Sequence, residues 1–321
     1  MVGKLKQNLA NINIAGDLCF DEPMAQHTTF EVGGPADVYV RPESAQDVGE
    51  VLRVGRENGT PVFTLGGGAN ILVSDAGIRG IVMDMRSFNE VRSDGKRPGT
   101  EGPVLHARVG AGLAVSAAAA DLADRGLAGL DFLYARPGSL GGAVWMNARC
   151  YGSSIIDILS GVDVVTAHGA VDHYVAKQEA FAYKVSPFQP EGPLSGAVIV
   201  AAHLTLREEA SEQIWLRMRE HERDRSSKGH FSGPSAGSVF KNNRAFGKPS
   251  GQIIDSLNLR GCQIGGARIS DQHANIIINA GGATAADIRA LIEHIQGQVK
   301  ENLGFNLEPE VLLIGDWSSE D

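Results

Sequence analysis

Pro61-Val62-Phe63-Thr64-Leu65-Gly66-Gly67-Gly68-Ala69-Asn70-Ile71-Leu72-Val73 is the stretch on which the fold turns. Val62, Phe63 and Thr64 predict a short buried strand over Pro61–Leu65, and Ile71–Val73 predicts another. The three glycines between them carry no Cβ, so a ligand or a second backbone can approach closely. Successive amides on such a loop can converge on a phosphate. A tight strand-to-strand turn uses the same residues, and the local sequence leaves both readings open.

On the N-terminal side, Ala36–Val40 alternates as a strand, and Ser44 caps a helix carrying Val48, Val51, Leu52 and Gly55 that Gly59 ends. On the C-terminal side Gly80–Asp84 predicts a further strand, giving a compact α+β unit. The polar run Ser93–Pro103, with Gly95, Pro98, Gly99 and Gly102, predicts an exposed loop or a domain seam. Beyond it come a strand (Val104–Val109), an Ala-rich helix (Leu113–Arg125) and strands at Val162–Ala167, Val171–Val175 and Ala197–Leu206. The run Gly196–Ala202 has no polar face, which predicts a central strand. After Arg207 the texture changes. A charged helix is expected over Glu208–Arg225 with Ile214, Trp215 and Met218 as its apolar stripe, then a strand at Ala274–Asn279. Thr284 caps a helix whose stripe is Ile288, Leu291, Ile292, Ile295 and Val299, and Val311–Ile314 is the last strand. The expected division is residues 1–85, completed by 310–321, then 86–207, then 208–309.

Composition narrows the function. A formal net charge of -9 over 321 residues argues against a broad surface for nucleic acid or anionic membrane. Cys19, Cys150 and Cys262 lie far apart with no CxxC spacing, which argues against a disulfide framework or a structural zinc and fits a reducing cytosol. Met1-Val2-Gly3-Lys4-Leu5-Lys6-Gln7-Asn8 shows no apolar signal core, and no stretch approaches a membrane span, so a cytoplasmic protein is expected.

Pro137-Gly138-Ser139-Leu140-Gly141-Gly142-Ala143 is a second glycine loop, and a helix starting there would add a dipole and free amides. Two such loops fit one long diphosphate ligand. Gly110-Ala111-Gly112 imitates a dinucleotide fingerprint, but Val115 stands at the third glycine position, and we read it as a decoy. Arg217, Arg219, Arg223, Arg225 and Lys228 alternate with acids as on a solvated helix face. No HxxxH or HExxH spacing occurs among the nine histidines, so no metal is expected. His273 is expected to serve hydrogen bonding, structural or toward substrate.

Taken in order, several segments resemble the MurB family of UDP-N-acetylenolpyruvoylglucosamine reductases. They are His27-Thr28-Thr29-Phe30 with Gly33–Asp37, Leu65–Asp75, Pro137–Ser139 through Met146-Asn147-Ala148, Pro234–Asn242, Ile264–Ala267 with His273-Ala274-Asn275, and Leu307–Val311. The neighbourhoods of Ser238 and Glu310 are most similar to the shorter, type II branch. The resemblance implies an α+β, three-lobed flavoprotein: two FAD-binding subdomains of the vanillyl-alcohol-oxidase type and a C-terminal substrate domain. It implies FAD held by Leu65, Gly66, Gly67, Gly68, Ala69, Asn70, Pro137, Gly138, Ser139 and Gly142. It further implies NADPH as reductant and, as substrate, a UDP-sugar bearing an enolpyruvyl ether, with hydride passing from flavin N5 to C3 and a proton to C2. Ser238 matches the family's proton donor, Glu310 its carboxyl residue and Asn242 a substrate-contacting asparagine; Tyr183, Lys228 and His273 complete the expected substrate set. A monomer is expected.

The departures from the family pattern are specific. Where the family usually carries arginine in Tyr-Arg-x-Ser, this chain reads Tyr183-Lys184-Val185-Ser186, which keeps the charge and loses the planar fork. Gln252 stands where lysine is common, Arg149-Cys150 replace small residues, and Arg136 replaces an apolar one. A flavin oxidase of the same fold and a catalytically impaired UDP-sugar binder are the alternatives. The lack of a His-x-x-x-Cys attachment pattern weighs against the first, and retention of Ser238 and Glu310 against the second.

Overall fold

The computed structural model describes residues 14–97 and 104–318. Met1–Asn8 and residues 98–103 of the expected loop lie outside the described residues. In chain order the elements are β1 (Gly16–Pro23), β2 (Pro35–Pro42), α1 (Ala45–Glu57), β3 (Val62–Leu65), β4 (Ile71–Val73), β5 (Ile78–Asp84), β6 (Val91–Arg97), β7 (Val104–Gly110) and α2 (Val115–Asp124). Then follow β8 (Leu127–Ala128), α3 (Leu140–Trp145), β9 (Arg149–Cys150), β10 (Ser153–Ser154), β11 (Leu159–Val165), β12 (Val171–Val175), β13 (Val198–Glu208) and α4 (Ser211–Ser227). The chain finishes with α5 (Ser250–Ser256), β14 (Gln263–Ile264), β15 (Ala267–Ile269), β16 (Ile277–Asn279), α6 (Ala285–Leu303) and β17 (Leu312–Ile314). Among the described residues two compact units emerge: those within 14–20, 38–67 and 80–222 form the first, and those within 21–37, 68–79 and 223–318 form the second.

In the first unit β13 is the organising strand. It lies between β11 and β7, antiparallel to both, in the order β12-β11-β13-β7-β6. Its missing polar face has a plain cause. Ile199, Ala202, Leu204 and Leu206 enter one core with α2 and α3, while Val198 and Val200 enter another with Val48, Val51 and Val54 of α1. Helix α1 starts where Ser44 Oγ accepts from the Asp47 amide (3.1 Å) and the Asp47 carboxylate accepts from the Ser44 amide (3.0 Å).

Two expectations are corrected here. Val91–Arg97 is a strand paired antiparallel to β7, so the part of the expected loop from Ser93 to Arg97 is ordered as an edge. A one-sided ladder needs no apolar alternation, which is why its polar residues concealed it. The charged helix begins at Ser211 rather than 208, because Arg207 and Glu208 still pair with Ala128 and Leu127 of β8. Gly110 and Gly112 serve chain packing: a Cβ on either would strike the backbone of Phe88 or Met85.

The second unit packs α6 on the antiparallel sheet β14-β15-β16. Thr284 and Asp287 form the expected capping box, and Gly304 ends the helix in the left-handed region at φ 79. All five residues of the expected stripe are buried beside Phe30, Val32, Leu72 and Phe240. Strand β17 pairs parallel to β4, with Leu312 opposite Ile71. No described helix is long and apolar enough to cross a membrane.

Ile288 has no exposed surface. Ile288→Ala is expected to destabilise the second unit by about 2–5 kcal/mol through lost burial and the cavity left behind. A lowered thermal midpoint by circular dichroism checks it.

Candidate functional site

Within the first unit Gly66 and Gly67 meet the second glycine loop. A Cβ on Gly67 would fall 2.7 Å from Gly138 Cα, and one on Gly66 would collide with Ser139 Oγ. Among the described residues, the amides of Gly67, Gly68 and Ala69 donate to no backbone carbonyl, which leaves a row of donors suited to a phosphate. Gly68 holds φ 61, and a Cβ there would strike the His27 carbonyl. These residues therefore fit a diphosphate-bearing cofactor.

One expectation about the second loop fails. The first amides of α3 are not free: Leu140 donates to Leu113 O (2.9 Å), Gly141 to Ala111 O (2.7 Å) and Gly142 to Ser139 Oγ (3.3 Å). What this loop offers instead is close approach at Gly138 and Ser139.

From that loop α3 leads directly to Lys184. The Trp145 carbonyl at the helix end accepts from Ser186 Oγ (2.7 Å) and Gln189 Nε2 (3.0 Å), and Gln189 Nε2 also donates to Lys184 O (2.9 Å). Asn147, buried at φ 42, donates to Ala182 O (2.8 Å). Ala182 and Val185 pair across the turn, and Lys184 at its tip holds φ 61. A non-glycine residue in the left-handed region costs energy and persists where its surroundings enforce it. Tyr183 beside it is exposed.

In the second unit Ser238 and Glu310 converge. The chain around Ser238 lies between two partners: Val239 donates to Asn275 O (2.9 Å), and Glu310 donates to Val239 O (2.7 Å). Asn275, buried, closes a two-way bond with Phe240, accepting from its amide (3.0 Å) and donating to its carbonyl (2.9 Å). Within this same unit Asn70 Nδ2 donates to Glu310 O (3.0 Å).

The expected substrate set is less uniform. Asn242 Oδ1 accepts from the Ser250 amide (2.9 Å) at the start of α5, so that oxygen has a structural duty. Lys228 forms an ion pair with Asp224 (2.8 Å). His273 Nδ1 accepts from the Asn275 amide (3.2 Å). Burial foremost, with Arg260, Lys228 and Arg225 within electrostatic reach, holds the His273 pKa below its ordinary value.

Three features escaped sequence reasoning. Gln189 and Asn147 brace the Lys184 turn through backbone carbonyls, which leave no residue pattern. Arg136 Nη1 donates to Cys150 Sγ (3.2 Å), so two of the departures from the family pattern touch each other. Fully buried Asp84 accepts from the Tyr39 hydroxyl and from Arg86 Nε (2.6 Å), directly opposite Leu65 in the β3–β5 register. The burial of Tyr39, reinforced by Asp84, holds its hydroxyl protonated far above the ordinary range.

An antiparallel-sheet unit with a donor-lined glycine cradle, followed by an α+β unit carrying a serine and a carboxylate, defines an FAD-dependent oxidoreductase. Residues 36–173 match the FAD binding domain family, and residues 228–314 match the family described as UDP-N-acetylenolpyruvoylglucosamine reductase, C-terminal domain. The chain is similar to the UDP-N-acetylenolpyruvoylglucosamine reductase of Treponema denticola, 40% identical over 94% of this chain and 95% of that one. It is likewise similar to that of Bacillus subtilis, 35% identical over 94% of this chain and 95% of that one. The crystal structure of UDP-N-acetylenolpyruvylglucosamine reductase (MurB) from Thermus caldophilus is similar with a TM-score of 0.74, at 30% identity over 94% of this chain and 99% of that one. The chain belongs to the UDP-N-acetylenolpyruvoylglucosamine reductase family.

Gly67→Ala would set a methyl against Gly138 in the cradle. We expect FAD affinity to fall by about tenfold or more, roughly 1.4 kcal/mol, with the circular dichroism spectrum unchanged. Titration followed by flavin fluorescence checks it.

Proposed function

We propose that this chain reduces the enolpyruvyl ether of UDP-N-acetylglucosamine to UDP-N-acetylmuramate in peptidoglycan precursor synthesis, as a cytoplasmic monomer. The observation that carries the reading is Lys184. It is held in a costly backbone conformation by Gln189, Ser186 and Asn147, all anchored on or just past the end of the helix that begins at the glycine cradle. FAD, when bound, supplies the hydride it has taken from NADPH. The three-lobed division belongs to the same proposal, with the two separate cores of the first unit as the two FAD-binding subdomains.

The side chains then have distinct duties. Hydride arriving at C3 leaves negative charge at C2 beside the substrate carboxylate, and the Lys184 ammonium offsets that charge as it develops. Ser238 Oγ donates the proton to C2. A serine hydroxyl is a weak acid, but a carbanion is a far stronger base than the alkoxide left behind, so the transfer runs downhill. Glu310, whose amide donates to the Val239 carbonyl and whose own carbonyl accepts from Asn70 Nδ2, supports the enolate-like species directly or through a bridging water. Tyr183, Asn242, Lys228 and His273 bind the UDP-sugar, with Lys228 and His273 in one basic neighbourhood.

Anaerobic mixing of the FAD-loaded protein with NADPH and then with the enolpyruvyl substrate should first bleach the flavin and then restore its colour. Flavin that stays reduced overturns the reading. Lys184→Met is expected to leave NADPH oxidation intact while slowing substrate reduction by about 10²-fold or more. Equal loss in both half-reactions would contradict the role assigned to it. Ser238→Ala should likewise spare the first half-reaction and slow the second by about 10²–10⁴-fold, read by stopped-flow absorbance.

A further inference from the structure

Away from the glycine cradle, the sheet of the first unit carries a row of polar side chains across four neighbouring strands. The register produces it. His173 on β12 pairs directly with Asp163 on β11; Asp163 pairs with Ala201 on β13, so His203, two residues further along β13, shares its face; and His203 pairs with Arg108 on β7. Asp163 Oδ1 lies 2.8 Å from His173 Nδ1 and 2.8 Å from His203 Nε2, while Oδ2 accepts from Arg108 Nε at 2.7 Å. The three potential ligand atoms all fall within 4.8 Å of one another.

We propose that Asp163, His173 and His203 form a binding site for one divalent transition-metal cation of the zinc class, separate from the flavin chemistry. Zn–N and Zn–O bonds of about 2.0–2.2 Å set the ligand atoms around one ion roughly 3 Å apart. Both carboxylate–imidazole pairs already stand close to that spacing, and replacing the shared protons by the cation needs little movement. Two imidazoles and one carboxylate are borderline donors suited to zinc, nickel or cobalt rather than to calcium or magnesium. Arg108 on the other carboxylate oxygen fixes its orientation, as partners behind a ligand commonly do.

Two further features point the same way. A Cβ on Gly161 would come 2.7 Å from His173 Nε2, so the glycine keeps open the space the imidazole occupies. Register irregularities fall on both sides of Gly161–Asp163, and such bulges re-aim side chains. His173 is 48% exposed at its side chain, which leaves a path for the ion and room for water ligands.

The test is calorimetric titration of metal-stripped, FAD-loaded protein with ZnCl2 at neutral pH, alongside CoCl2 followed by visible absorbance. One saturable equivalent and a cobalt ligand-field band are expected. Both should weaken at least about tenfold in His173→Ala and in His203→Ala, and measurably in Gly161→Val, which removes no ligand. Retention of the flavin spectrum in each variant shows that the fold is intact. Absence of a saturable equivalent, or binding unchanged in both histidine variants, would overturn the site and leave a hydrogen-bonded surface cluster only.

Discussion

At Gly66 and Gly67 on one side and Gly138 and Ser139 on the other, two stretches of backbone approach more closely than any side chain permits. The rest of the first unit is arranged around that approach. Strand β3 delivers the first loop and is held by its parallel register with β5. The second loop is fixed because its helix spends its opening amides on Ala111 and Leu113. Rigidity is the gain, since a cradle whose far wall is pinned keeps its donors in place without a ligand. The same helix then passes that rigidity on, from its last carbonyl to the turn that carries Lys184.

Much of this was legible because the signals are local. Caps at Ser44 and Thr284, the stripe from Ile288 to Val299 and the glycine runs each declare themselves within a few residues. Even the central position of β13 could be read, since a strand feeding two cores cannot afford a polar face. What stayed hidden depends on partners distant in sequence. The edge strand at Val91–Arg97 needs only β7 beside it, and α4 starts late because β8 extends β13 by two residues. The amides of Leu140 and Gly141 looked free in sequence because their acceptors lie more than twenty residues upstream. Histidine spacing suffers likewise: helical intervals are visible in a single stretch, whereas Asp163, His173 and His203 meet only through strand register.

The departures from the family pattern sort into two kinds. Lys184 keeps a cation at its position but presents a point charge where a planar fork could grip a carboxylate with two hydrogen bonds. Gln189 braces this turn through the Lys184 carbonyl. Arg136 and Cys150 form a local pair at 3.2 Å.

Asn70 and Glu310 are separated by 240 positions, yet one hydrogen bond joins them and the neighbouring strands β4 and β17 lie side by side. On the ribosome the residues around Asn70 emerge 240 positions ahead of the partner they bind. The hydrogen bond therefore forms only after the whole intervening stretch has been made.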